Sequence, residues 1–478
     1  MSAPGITGVG GYAPRVRLSA EEVSEAWGHI EASGIEEKAV PGADEDAITM
    51  GYEAARRALD AADTAGPDIR TLAFATTTPP MAESEITVHL SELFDLPDSA
   101  DLQLYTGSTR VGLQALADTL STEMQSVPAL VVAADCPRGA PYDEIGQATG
   151  AGAAAFVIDA DAPAQFQDHA TYAESFQGTR FRSTGDDRTE SLNITTFDRE
   201  AFTTTIAAAV GQLDIDVSTL DAAAIQAPDG ALPYRVGKAA GISSSLVKDA
   251  ATVHELGDTG AASVPLSLAR ALSTNNDTVL AAAFGSGAVA EVAVFEQSGG
   301  ESVPVSLSLD GETDVSYTEY LRQRGELTSG SPEGGGAYVS VPAWKRSLAQ
   351  RYRLEAGRCP NCDALNFPPT GACSSCHHLV KYDPVQLEPT GTVEAMTVIS
   401  QGGAPPEFVE QQARTGDYTA AVVAIDGPDG DSASISAQVV GAESGDVDIG
   451  DRVEFTFRRI YVQEEVIRYG MKFRPLQE

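Results

Sequence analysis

Apolar residues along this chain follow two alternating patterns. Thr71-Leu72-Ala73-Phe74-Ala75, Ala129 to Ala134 and Val279 to Phe284 are short apolar runs bounded by Pro, Gly or polar residues, the mark of buried strands. Between them, Asp44 to Asp63, Glu85 to Phe94, Ala201 to Gln212 and Ala262 to Leu272 read as helices. The first carries acids at its start, where the helix dipole favours them. Gly5 to Pro14 predicts a strand and turn, Asp101 to Tyr105 another strand, and Gly150 to Ile158 a small-residue strand whose neighbours approach closely. From Gly107-Ser108-Thr109-Arg110-Val111-Gly112 the chain turns into a helix reaching about Ser126. A second cycle follows Ala201, with strands at Ala222 to Gln226 and Val289 to Phe295 and a helix after Pro233. Strands and helices taken in turn predict an α/β fold.

Beyond Phe295 the pattern changes. Gly299 to Lys345 is rich in Gly, Ser and Glu, including Ser329 to Gly336, and predicts a linker with a boundary near Trp344. Four alternating stretches follow at Gly391 to Val398, Tyr418 to Ile425, Ala433 to Val440 and Arg452 to Arg458, which predict a small closed all-β barrel. The expected division is 1–298, a connecting segment 299–350, a metal ribbon 351–382 and a barrel 383–478.

The ribbon rests on four cysteines. Cys359-Pro-Asn-Cys362 and Cys373-Ser-Ser-Cys376, with ten residues between the pairs, have the spacing that closes four thiolates into a tetrahedron around a structural zinc ion. His377 and His378 read as solvated turn residues beside it. The fifth cysteine, Cys136, reads as a small buried hydrophobe.

At 478 residues the chain exceeds one hydrophobic core, and its net charge of -38 excludes nucleic acid or an anionic membrane as a main partner. Only six of the 31 basic residues are lysine and the acids are spread along the chain, a pattern that suits a cytoplasm of high salt. No apolar run approaches the roughly 20 residues that span a bilayer, and the N-terminus lacks the basic start and apolar core of a signal peptide. A soluble, cytoplasmic protein is expected.

Candidate chemistry sits in Ile225-Gln226-Ala227-Pro228-Asp229-Gly230, followed by Tyr234-Arg235-Val236-Gly237-Lys238, and in Gly257-Asp258-Thr259-Gly260-Ala261-Ala262. A strand there delivers a polar side chain beside two cations. With the turn at Gly107, this order resembles the thiolase superfamily, in particular archaeal hydroxymethylglutaryl-CoA synthase and ketoacyl synthase III. The resemblance implies a duplicated, layered αβαβα domain that dimerises. It also implies a nucleophilic Cys at Thr109, an acid/base Glu at Thr77, a His at Gln226, a substrate pocket including Asp258 and Ser286, and a grip on CoA phosphates by Arg235 and Lys238. Asp258 stands where the family has Asn. The C-terminal part, ending Tyr469-Gly470-Met471-Lys472-Phe473-Arg474-Pro475, resembles the rubredoxin-like zinc ribbon and OB fold found beside thiolase-type proteins, where it is implicated in acyl-CoA binding and subunit bridging.

With Cys, Glu and His all replaced, a Thr hydroxyl lacks the base it needs to become a nucleophile. The expected function is an acyl-CoA-binding or bridging subunit, with structural zinc, a thiolase-type partner and no nucleic acid or membrane. Two alternatives remain: an active acyl-CoA condensing enzyme, or a retro-aldolase using Tyr105 or Tyr142. His254, near the Gly-Asp-Thr-Gly loop, reads as structural.

Overall fold

The computed structural model describes residues 4–121, 127–274, 276–297, 302–327, 341–400, 404 and 408–476. The chain forms two compact units, one of Met1–Pro41 with Asp46–Tyr320, the other of Gly42–Glu45 with Leu321–Glu478.

The first unit is built on strands β1 (Gly5–Tyr12), β2 (Val16–Ser19), β3 (Glu37–Val40), β4 (Thr71–Ala75), β5 (Asp101–Tyr105) and β6 (Ala129–Asp135). They are followed by β7 (Gly152–Asp159), β8 (Ala164–Phe176), β9 (Ala222–Ile225), β10 (Thr278–Gly285), β11 (Gly287–Gln297) and β12 (Val305–Ser308). The main sheet runs β5-β4-β6-β7-β1-β8-β11-β10-β9. β4 and β6 are parallel, and β6, β7 and β1 then alternate in direction. The second half repeats this scheme, since β9 and β10 are parallel and β10, β11 and β8 alternate. This backbone repeat is the duplication that the residues themselves scarcely show. Within the sheet, β1 of the first half pairs with β8 of the second through Gly5 opposite Gln165 and Ile6 opposite Ala164.

Helices make the remaining layers. Val111–Leu120 and Ser263–Leu272 pack on each other and on strands of both halves, and so form the central layer. Ala47–Ala61 covers β1, β6 and β7 from outside, while Thr195–Val210 covers β8, β10 and β11. Their apolar faces meet the sheets in two clusters, one around Leu113, Leu116, Val264 and Leu266, the other around Phe202, Ile206 and Phe284. The helix predicted from Asp44 begins at Ala47 because Asp46 caps it. Asp46 Oδ1 accepts from the N–H of Ile48 and Thr49 at 3.0 and 3.1 Å, and Thr49 Oγ1 accepts from the Asp46 N–H at 2.8 Å. In the central layer Gly112 permits a close approach, since a Cβ there would stand 2.0 Å from the Ala261 carbonyl oxygen.

The stretch expected to be a linker holds regular structure. β12 pairs in parallel with β1, β13 (Thr313–Asp314) pairs with β2, and a helix spans Tyr317–Gln323. Val303, Val305, Leu307 and Leu309 alternate with Pro304, Ser306 and Ser308, a strand signal hidden in Ser- and Gly-rich surroundings. The Ser329 to Gly336 run lies outside the described residues, as does the end of the helix expected to reach Ser126.

In the second unit, helices Val341–Arg346 and Leu348–Arg353 precede three ribbon strands, β14 (Glu355–Arg358), β15 (Leu365–Asn366) and β16 (Asp383–Gln386). β17 (Thr390–Ile399), β18 (Tyr418–Asp426), β19 (Ser432–Val439), β20 (Arg452–Gln463) and β21 (Val466–Pro475) close a five-stranded barrel in the order β17-β18-β19-β21-β20. Alternation is strict in β18, where Thr419, Ala421, Val423 and Ile425 point inward.

One buried charge in the first unit sets a pH dependence. Glu291 on β11 accepts from Arg110 Nη1 at 2.5 Å and meets His169 Nε2 at 3.0 Å. The hydrogen bond to Glu291 raises the His169 pKa above its ordinary value. A raised value means that the bound proton favours the fold at low pH and that this contribution disappears as pH climbs from about 6.5 through the raised pKa. The stability advantage of the native chain over a His169→Gln variant should therefore shrink as pH rises above about 6.5 in urea titrations. A gap independent of pH would assign His169 a packing role alone.

Candidate functional site

A cavity of about 250 Å³ opens in the first unit where the strand-to-helix turns converge. Thr109, Gln226, Asp258 and Arg235 all line it, although they lie far apart in sequence. Thr77, Lys238 and Ser286 are not among its lining residues. Lys238 is exposed on the helix Leu232–Ala239 that also carries Arg235, and Ser286 is half-buried in the turn after β10.

Thr109 is buried, and its hydroxyl donates to the Phe284 carbonyl oxygen at 2.5 Å. Gln226 directly follows β9, which stops one residue short of the expected limit; its Nε2 donates to the Gly260 carbonyl oxygen at 3.0 Å, and its Oε1 is buried without a partner. Asp258 is 1 % exposed, is paired with Arg180 and accepts from the Gly260 N–H at 2.9 Å. Arg180 keeps a second, buried Nη2 that has no partner. Arg199 and Asp198 also line the cavity, and burial raises the Asp198 pKa. Ile145, Phe202, Leu232 and Phe284 supply apolar wall. The result is a largely apolar chamber whose polar lining mixes three guanidiniums, Arg180, Arg199 and Arg235, with four carboxyl groups, Glu144, Asp198, Asp229 and Asp258, and several unmet hydrogen-bonding groups.

Behind this chamber Asp135, at the end of β6, organises the turns. Its carboxylate accepts from the hydroxyls of Thr76, Thr77 and Thr78 at 3.1, 2.6 and 2.5 Å and from the N–H groups of Thr77 and Ala261 at 3.0 and 2.8 Å. Gly260 is required beside it, because φ is +56° and a Cβ would stand 2.2 Å from Asp135 Oδ2. Thr77 is thus committed to Asp135. Cys136 is half-buried, with its N–H on Thr78 Oγ1 at 3.0 Å.

His254 is engaged at both ring nitrogens, by Gly34 O at 2.6 Å and Tyr234 Oη at 2.7 Å. Neither Tyr105 nor Tyr142 lines the cavity. Burial, then the Asp118 charge, push Tyr105 up to about 12, and Tyr142 is an exposed ring against Trp27.

In the second unit the four thiols lie within 4.8 Å of one another. The pairs Cys359 with Cys376 and Cys362 with Cys373 are separated by 3.7 and 3.6 Å. Four sulfurs about 2.3 Å from one ion at tetrahedral angles stand roughly 3.8 Å apart, so the arrangement fits zinc. Asn366 supports it, with Nδ2 3.5 Å from Cys373 Sγ and Oδ1 accepting from the Ser374 N–H at 2.8 Å. The Cys376 N–H bonds to the Cys373 sulfur and lowers its pKa.

Layered halves about central helices, with a cavity at the converging turns, define a thiolase-like fold of the acyl-CoA condensing class. The chain is 32% identical over 299 residues to a hydroxymethylglutaryl-CoA synthase of Pyrococcus furiosus, covering 60% of this chain and 85% of that one. A Thermococcus gammatolerans hydroxymethylglutaryl-CoA synthase is also 32% identical, over 59% of this chain and 83% of its own. The chain belongs to the hydroxymethylglutaryl-CoA synthase family. Residues 346–378 match the ChsH2 rubredoxin-like zinc ribbon domain and 384–458 the ChsH2 C-terminal OB-fold domain. Among solved structures, an HMG-CoA synthase complexed with CoA superposes with TM-score 0.59 at 16% identity, covering 71% of this chain and 94% of its own. The priming β-ketosynthase of the R1128 polyketide pathway superposes with TM-score 0.55 at 20% identity, over 63% and 98%. Among the described residues no helix is long and apolar enough to cross a membrane.

Residue patterns missed Arg180, Asp198, Arg199 and Asp135. Arg180 comes from a polar, irregular stretch after β8, while Asp198 and Arg199 stand near the start of the helix Thr195–Val210, ahead of the Ala201 at which the apolar pattern begins.

Proposed function

We propose that the first unit binds a CoA thioester in the Thr109 cavity without forming a covalent acyl intermediate. The whole chain then serves as an acyl-CoA-binding or bridging subunit beside a thiolase-type enzyme. It works as a cytoplasmic homodimer at high salt. The observation that carries the reading is the environment of Thr109: its hydroxyl gives its hydrogen to a backbone carbonyl, which is no base. Gln226, at the family's His position, carries an amide that does not titrate. Asp258 is held by Arg180 and the Gly260 N–H. Arg199 and Arg235 remain on the cavity wall for phosphate groups.

The test is radiolabelled acetyl-CoA at molar salt, followed by precipitation and intact-mass analysis. Saturable binding with no covalent acetyl group and no turnover upon adding acetoacetyl-CoA is expected. A stable acyl-protein, or product formation, overturns the reading in favour of an active condensing enzyme.

A further inference from the structure

Two buried oxygen atoms in the Thr109 chamber lack a hydrogen-bond donor. Gln226 is 3 % exposed, and its amide cannot turn over, because Nε2 donates to the Gly260 carbonyl oxygen at 3.0 Å and a reversed amide would set two oxygens together. Its Oε1 is therefore a fixed acceptor, buried without a partner. Asp198 Oδ1 is the second, likewise buried and without a partner. Both residues line the chamber, on adjoining walls. The Gln226 N–H donates at 2.8 Å to the carbonyl oxygen of Ala282 on β10, two residues before Phe284, whose ring centroid lies 4.8 Å from that of Phe202. Asp198 stands one turn before Phe202 on the same face of the helix Thr195–Val210.

A spare donor stands beside Gln226. Arg180 Nη1 is paired with Asp258, whose carboxylate accepts from the Gly260 N–H at 2.9 Å, and the Gly260 carbonyl oxygen takes the Gln226 amide. Arg180 Nη2 is buried without a partner. Charge is unbalanced as well. Asp258 neutralises Arg180, and Arg199 and Arg235 are left for phosphate groups in the function proposed above, so the carboxyl groups of Glu144, Asp198 and Asp229 remain to be balanced on the chamber wall. Burial raises the Asp198 pKa. Burial, then the charges of Asp229, Glu31 and Asp198, raise that of Glu144 at the exposed rim.

A ligand that completes this arrangement accepts once and donates at least twice. A thioester carbonyl supplies the acceptor for Arg180. A hydroxyl carries one hydrogen and cannot serve both Gln226 and Asp198, whereas an ammonium carries three and answers the carboxylate charge as well. We infer that the chamber takes an aminoacyl thioester, its ammonium held between Gln226 Oε1 and Asp198 Oδ1 and its carbonyl oxygen on Arg180 Nη2. This rests on the reading of the chamber as a CoA-thioester site and adds which acyl group it selects.

Butyryl-, 3-hydroxypropionyl- and β-alanyl-CoA carry acyl chains of one length that end in methyl, hydroxyl and ammonium. Calorimetric titration of the full chain with each, at molar salt and about pH 7, should give β-alanyl-CoA a dissociation constant at least about tenfold below that of butyryl-CoA. Asp198→Asn keeps the shape and removes the charge, and should bring the ratio of the two constants close to one. The ester comparison uses the unaltered chain and so stands even where the variant fails to fold. Equal constants, tightest binding of the hydroxyl ester, or a folded Asp198→Asn chain that keeps the full ratio overturns the inference while leaving CoA binding intact. If none of the CoA esters binds, the CoA reading fails and the corresponding N-acetylcysteamine thioesters decide. A β-alanyl preference among those upholds the ammonium site, and no preference overturns it.

Discussion

Removing the metal from the four-thiol site is expected to unfold the ribbon outright. The ribbon has strands of four, two and four residues, too short to hold one another. Its interior consists largely of Ala356, Asn366 and the sulfurs of Cys359 and Cys373. Apolar burial on that scale leaves the chain entropy unmet, so the ion must supply the difference, on the order of 10 kcal/mol in comparable sites. Chelation, or Cys373→Ser, should abolish hydrogen-exchange protection across 355–386 and release one zinc per chain by elemental analysis. Full protection after chelation, or a purified chain with no metal, would show that hydrogen bonds alone hold the ribbon.

The backbone plan was legible where burial is complete: Thr71–Ala75 is a strand with the expected limits, and the expected Ala129 to Ala134 strand runs one residue further. Asp101–Tyr105 also has the expected limits, although none of its residues is fully buried, because Leu102 and Leu104 alternate with polar residues there. β8 was not legible. Its thirteen residues, Ala164–Phe176, are buried fully only at the two ends, so no apolar run marks it. Likewise Asp135 reads as the polar end of a strand, and its importance arises from threonines nearly 60 residues earlier and an N–H group 126 residues later. Sequence finds residues set on strand-to-helix turns, such as Thr109 and Gln226, because the turn itself has a pattern. It does not find Arg180, whose role comes from where an irregular segment is folded back.

That difference decides how Asp258 should be judged. By its place in the Gly-Asp-Thr-Gly segment it looks like a replaced Asn that has lost a donor; in the folded chain it is the counter-charge of Arg180. Asp258 is 1 % exposed and the Arg180 side chain 15 %, so the pair lies well out of water. Asp258→Asn should therefore harm the fold, because it leaves a buried guanidinium without compensation at a cost of about 3–5 kcal/mol. Arg180→Gln alone should cost a similar amount by leaving the carboxylate unpaired. The double variant Arg180→Gln with Asp258→Asn removes both charges together and should lose less than either single change. Because the chain has two compact units, a whole-chain melting curve mixes transitions. The measurement is therefore urea-dependent hydrogen exchange in peptides spanning 256–272, which include the Gly260 N–H held by Asp258. If the single effects simply add in the double variant, the two side chains are not coupled, and Asp258 becomes available as a proton acceptor facing the cavity.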